Sequence, residues 1–240
     1  MCACADLLME HSPNHPSRNS EIRVWIGNHG PVVAFGGNPH AGFDIHLNTN
    51  ENLWCQITYQ FAHELCHVLA QYQPHQHVNQ WFEEVVCETA SIYCLDRIAS
   101  ACANGNPPHP WLNTFQPGGA PYFVAVQEYV ATLMTDPARQ LTGTIPEWVQ
   151  KHEVELRIDP YLRDRTNIAS NSLVPRVLQR PPVLAAIESL NVSLCPAGQD
   201  SLSEYFEQWK NSTPEPTRAH VVELIELFIP SLGTAGGAAA

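Results

Sequence analysis

The chain is poor in positive charge: Lys and Arg total 12 of 240 residues against 24 Asp and Glu, a net charge of −12. Nucleic-acid binding needs clustered cations to neutralise phosphates, and no basic run occurs, so that class of partner is excluded. No stretch of 18 apolar residues exists, so no segment is expected to span a membrane. Met1–Glu10 has neither a basic start nor an apolar run long enough for a secretory signal. A reducing cytoplasm is then the simplest compartment, with leaderless export left open. Nothing recurs with a period of 20–50 residues, which excludes repeat architectures. No CxxC pair is present among the 8 cysteines. Cys2-Ala3-Cys4 is one residue too short, and Cys55, Cys66, Cys87, Cys94 and Cys102 fall in predicted helices, where they read as small apolar side chains.

What is present is His63-Glu64-Leu65-Cys66-His67. On a helix, positions i and i+4 share a face, so His63 and His67 can offer two imidazoles to one metal ion while Glu64 reaches a water beside it. Chance yields such a pattern in roughly 4% of chains of this composition, so the surroundings must decide. Wound as a helix, residues 54–71 place Gln56, Gln60, His63, Glu64, His67 and Gln71 in one arc of roughly 100°. Trp54, Ile57, Phe61, Leu65, Val68 and Leu69 occupy the other. This predicts a polar stripe facing a cleft and a buried back.

A zinc site of this kind needs a third ligand. The metzincin continuation would require Gly at position 70 and His at 73, and the chain has Ala70 and Gln73. Trp81-Phe82-Glu83-Glu84-Val85-Val86-Cys87-Glu88-Thr89-Ala90-Ser91 instead resembles the second-helix motif of the gluzincin metallopeptidases. There an aromatic-led turn delivers a glutamate ligand about twenty residues after the first motif. Helical spacing chooses between the adjacent acids. Glu84 and Glu88 lie beside Trp81, Ile92 and Leu95, whereas Glu83 falls with Ala90, Cys94 and Arg97 and is expected to make an ordinary surface pairing. A carboxylate against a buried face needs a cation, so Glu84 is the expected ligand. The resemblance gives Glu88 the task of holding the outer nitrogen of a ligand histidine, against an alternative reading as an exposed helix acid. Glu83 in place of Asn, and a short interval from His67 to Glu84, point to a divergent branch. The resemblance spans roughly residues 43–98.

Upstream, residues 21–26, 31–35 and 43–48 alternate or run apolar as strands do. Zincin-like folds place a small twisted sheet before the active helix, which makes 43–48 either the edge that aligns an extended substrate or a plain edge strand. His46 alternates outward with Asp44 and Asn48, and surface polarity accounts for it. Residues 104–121 read as a loop. Helices are expected near 121–135, 145–156, 164–179, 182–190, 201–210 and 215–229, with Ser201-Leu202-Ser203-Glu204 a capping box. The expected architecture is therefore α+β and zincin-like: a core over 1–103, a helical lobe over 104–232 closing the cleft, and a disordered tail over 233–240.

The resemblance implies metal-assisted hydrolysis of peptide bonds in a peptide or protein substrate. His63, His67 and Glu84 would hold Zn²⁺ with a position left for water, and Glu64 would act as general base. The donor to the developing oxyanion would come from the helical half, with Tyr161 the first choice and His152 the second. Two other readings stand beside it. One is a catalytically silent zincin-like scaffold. The other is a structural zinc closed by His75 or His77.

Overall fold

The computed structural model describes residues 1–13, 15–27, 30–35, 42–50, 52–71, 78–192 and 201–229. It is an α+β chain in which a small sheet leads into a helical body. Strands β1 (Ile22–Gly27), β2 (Val32–Phe35) and β3 (Phe43–Asn48) pair in the order β1-β3-β2, with β1 parallel and β2 antiparallel to β3. Ile45 and Leu47 are buried while Asp44, His46 and Asn48 face outward, as the two-residue period requires. Gly42 starts β3 at φ +82°, where a Cβ would stand 2.4 Å from the Glu21 carbonyl oxygen. Only glycine lets β3 enter this close to β1.

The expectation that 43–48 forms an edge fails. β3 is the central strand, and its backbone groups are taken up on both sides, so it has no free ladder with which to align a peptide. The edges are β1 and β2, and β2 is the one that packs against the helix carrying the histidines.

That helix, α2 (Trp54–Leu69), is followed by α3 (Gln80–Ala103), α4 (Tyr122–Thr135), α5 (Ile145–Ile158) and α6 (Arg163–Gln179). A 3₁₀ segment, Pro181–Ser189, then precedes α7 (Leu202–Ser212) and α8 (Glu215–Phe228). Periodicity located all of these to within a few residues. Side-chain caps set two of the starts: Thr144 with Glu147 opens α5, and Ser201 with Glu204 opens α7. Residues 104–121 contain only short 3₁₀ turns, Pro110–Asn113 and Pro117–Gly119. The first helix, α1 (Cys2–Glu10), was not expected; it buries Ala3, Cys4 and Leu8 against α2 and α3. The expected tail over 233–240 lies outside the described residues.

α3 organises the body. Every residue from Gln80 to Leu95 is buried, and α1, α2, α4, α5 and α6 all pack around it. The buried apolar cluster runs from Ala3 to Phe228, so residues on either side of position 103 share one core. Among the described residues no helix is long and apolar enough to cross a membrane. At the start of α3 the Phe82 ring meets Phe206 at 4.7 Å and Phe228 at 5.1 Å, which docks α7 and α8. Phe206 is 1% exposed. Phe206→Ala is expected to lower unfolding stability by about 3–5 kcal/mol, read as a shifted urea midpoint. A loss below about 1 kcal/mol would mean that α7 is not held by this contact.

Candidate metal centre

α2 and α3 lie antiparallel, which brings His63 and His67 against the first turns of α3. The polar stripe of α2 is buried within the body: Gln60, His63, Glu64 and His67 are all 3–6% exposed. Gln60 Nε2 donates to the Asn48 carbonyl at 3.0 Å, tying this stripe to the end of β3.

Three expected ligands converge. His63 Nε2 lies 3.2 Å from Glu84 Oε2, His67 Nε2 lies 3.3 Å from Glu84 Oε1, and the two Nε2 atoms are 3.2 Å apart. A tetrahedral zinc with bonds of about 2.0–2.1 Å separates neighbouring ligand atoms by about 3.3–3.4 Å. The observed spacing is that of ligands around one small cation. The tautomers agree. His67 Nδ1 stands 2.7 Å from Glu83 Oε1, so this nitrogen carries the hydrogen and the Nε2 lone pair turns inward. Two inward lone pairs at 3.2 Å repel unless a proton or a metal lies between them.

A second buried group, His67, Glu83 and Cys87, also brings ligand types together. Here the geometry favours a proton. The 2.7 Å from Nδ1 to the Glu83 carboxylate is a charge-assisted hydrogen bond, shorter than two atoms sharing a metal would allow. Cys87 Sγ, at 3.4 Å from the same nitrogen, is packing beside that bond.

This corrects the expectation for Glu83. It is 1% exposed and makes no surface pairing; it grips His67 and accepts from Asn191 Nδ2 at 2.7 Å. The reason is that α3 has no solvent face, so spacing could rank the acids but could not expose one of them. Asn191 also donates to the Ala70 carbonyl at 2.9 Å, tying the end of α2 to the same carboxylate. Glu88 is likewise buried, at 3%, with Oε2 at 3.8 Å from His63 Nδ1. Its other oxygen is paired with Arg139, itself 5% exposed, and the Tyr59 hydroxyl joins this cluster.

Glu64 follows His63 on α2, 3% exposed, and accepts no hydrogen bond from any described residue. Tyr161 is 47% exposed, and its hydroxyl accepts from Gln80 Nε2 at 3.3 Å, on the turn of α3 that precedes Glu84. His152 is held elsewhere, by Glu155 and the face of Trp148 at 5.5 Å. His75, His77 and Cys195 lie outside the described residues. The described cysteines are all free thiols, with Cys66, Cys87, Cys94 and Cys102 buried in helices as expected and Cys55 partly so.

Burial opposes charge on His67, but Glu84 and Glu83 outweigh it and hold the imidazole well above its usual value. Glu84 behaves in the opposite sense: burial raises its pKa, and the two histidines pull it well below the usual carboxylate range. Without metal, His67 and Glu84 thus form an ion pair. Arg139, Asn191 and the role of Glu83 were missed from sequence. Only Glu83 left a local signal, since Trp81-Phe82 and Val85-Val86 flank it with bulk on all sides.

Comparison with protein-family models, curated proteins and solved structures gives no match.

Two outcomes follow from the geometry of the site. A raised His67 pKa means that the metal-free site holds a proton at neutral pH, and a metal must displace it. Zinc binding at pH 7 should release about one proton per chain into lightly buffered solution, and affinity should fall as pH is lowered. Uptake of zinc with no proton release would contradict the assigned protonation. Glu84→Ala should abolish zinc retention in dialysis, whereas Glu83→Ala should weaken it by about 10–100-fold through loss of His67 orientation. Equal effects would show that the two acids had been given the wrong roles.

Proposed function

We propose that this chain is a zinc-dependent metallopeptidase of zincin-like, gluzincin type, hydrolysing peptide bonds of a peptide or protein substrate. The observation that carries the reading is the set of near-equal ligand spacings made by His63, His67 and Glu84, with Glu64 next to His63 on α2. When bound, zinc would lower the pKa of a water towards about 7 and polarise a carbonyl. The remaining work belongs to the side chains. Glu64 accepts no hydrogen bond from any described residue, so its lone pairs are free to take a proton from water and pass it to a leaving amine. Glu83 fixes the His67 ring, and Glu88 faces the outer nitrogen of His63. Tyr161 bonds Gln80, which lies one turn before Glu84 on α3, and its hydroxyl is the donor assigned here to a developing oxyanion.

The structural-zinc alternative requires a fourth protein ligand. Among the described residues His63, His67 and Glu84 converge, while His75 and His77, the residues that alternative calls on, lie outside them. A reducing cytoplasm suits the buried thiols.

Glu64→Gln keeps the size and reach of the side chain but cannot take a proton. Zinc content and melting temperature should stay near those of the wild type. Cleavage in a broad peptide library should fall by about 10²–10⁴-fold. Loss of zinc in this variant would make Glu64 a ligand. Undiminished cleavage would place the chemistry elsewhere, and a zinc-loaded wild type that cleaves nothing would leave the scaffold reading.

A further inference from the structure

The α2–α3 pair carries the metal ligands at one end. At its other end a cavity of ≈400 Å³ opens between α1, β1, the first turns of α2, the end of α3 and the segment leading into α4. Ile98 on its wall is fourteen residues beyond Glu84, about 21 Å along the helix axis at about 1.5 Å per residue. Thr58 on α2 comes nearer, five residues before His63, but His63, Glu64, His67 and Glu84 are not among the lining residues, so the cavity is a space of its own.

Its walls are aromatic. The Phe115 ring stands near the centre of the group, 5.1 Å from Trp54, 5.9 Å from Trp111 and 5.5 Å from Tyr122. The mouth is apolar and open to water, with Ile26 41%, Trp54 41% and Trp111 54% exposed. Large apolar side chains gathered round one opening mark a binding site more than a folding need, because folding alone would bury them.

The chemistry of the lining selects the occupant. Among the described residues no charged side chain lines the cavity. Its hydroxyls are already committed: Thr58 Oγ1 donates to the Trp54 carbonyl at 2.9 Å, and Tyr122 OH lies 2.9 Å from Thr58 Oγ1, which can accept from it. The other polar groups of the wall are the indole N–H donors of Trp54 and Trp111, so a guest meets a mainly apolar surface with no charged side chain among the described residues to compensate a buried charge. The volume lies within the range of about 300–1,000 Å³ typical of small-molecule pockets. Ring edges and faces in the wall suit a flat guest.

We propose that this cavity is a binding site for a small, uncharged, ring-bearing apolar molecule, independent of the metal centre. Titrating the zinc-loaded full chain with the neutral probe N-phenyl-1-naphthylamine tests it. Saturable one-site binding with quenched tryptophan emission is expected. Trp111→Ala, at the exposed mouth, should weaken binding by at least about tenfold, as loss of an aromatic anchor does. Cys2→Trp, which fills the mouth from the exposed side of α1, should abolish binding. Zinc content should be unchanged in both variants, so failure here is distinguishable from failure of the metal reading. Four results would each overturn the proposal: no saturable binding by the wild type, binding insensitive to both variants, equal affinity for the anionic probe 1-anilinonaphthalene-8-sulfonate, or conversion of a dimer to a monomer by Trp111→Ala. The last would make the patch a contact for a second copy.

Discussion

Three carboxylates, Glu83, Glu84 and Glu88, lie within two turns of a helix that has no solvent face there. Ionised carboxylates in such a place are unstable unless cations and hydrogen bonds meet them, and the surrounding structure supplies both. Arg139 meets Glu88, His67 meets Glu83, and the two histidines meet Glu84. Taken as ionised, the three acids balance Arg139 plus a divalent ion. Balancing them with Arg139 and a protonated His67 leaves one negative charge over, before Glu64 is counted. A divalent ion held there would complete a charge set that these side chains leave short.

The partners come from far along the chain. Arg139 follows α4, Tyr161 follows α5 and Asn191 follows the last 3₁₀ segment, yet they touch Glu88, Gln80 and Glu83 in turn. The α2–α3 hairpin alone could present the ligands, but it could not desolvate them or fix their orientation. The helical half does that, because it shares one core with the hairpin through Phe82 and its ring neighbours. Removing Arg139 would leave the buried Glu88 carboxylate without its cation, which is more disruptive than losing a surface pair.

How much of this could be read from the sequence depends on the range of the interaction. Strand alternation and helix starts are local, and the capping box at Ser201 and the spacing of His63 and His67 translated directly into structure. Strand order is not local. Residues 43–48 alternate whether they lie at the edge or the centre, and only pairing with both β1 and β2 decides. The helical wheel failed for Glu83 because it assumes two faces in different environments, and a fully enclosed helix has one environment all round. It ranked Glu84 above Glu83 by apolar neighbours, yet both acids reach α2: Glu83 meets His67 Nδ1, and Glu84 meets Nε2 of both histidines. Arg139 had no local signal, because a buried arginine is recognised by its partner and not by its neighbours in sequence.

His63 and His67 are not equivalent, and this bears on how the site would respond to a cation. His67 is gripped at 2.7 Å by a carboxylate that Asn191 in turn holds, so its ring is fixed before any metal arrives. His63 has a looser outer contact. Its Nδ1 lies 3.8 Å from Glu88 and has no hydrogen bond, because Arg139 draws Glu88 to itself. A metal at Nε2 makes the Nδ1 hydrogen more acidic and strengthens its pull on that carboxylate. Glu88 has a second oxygen with which to answer while keeping Arg139. The preorganised half of the site and the adaptable half therefore lie one helical turn apart on α2.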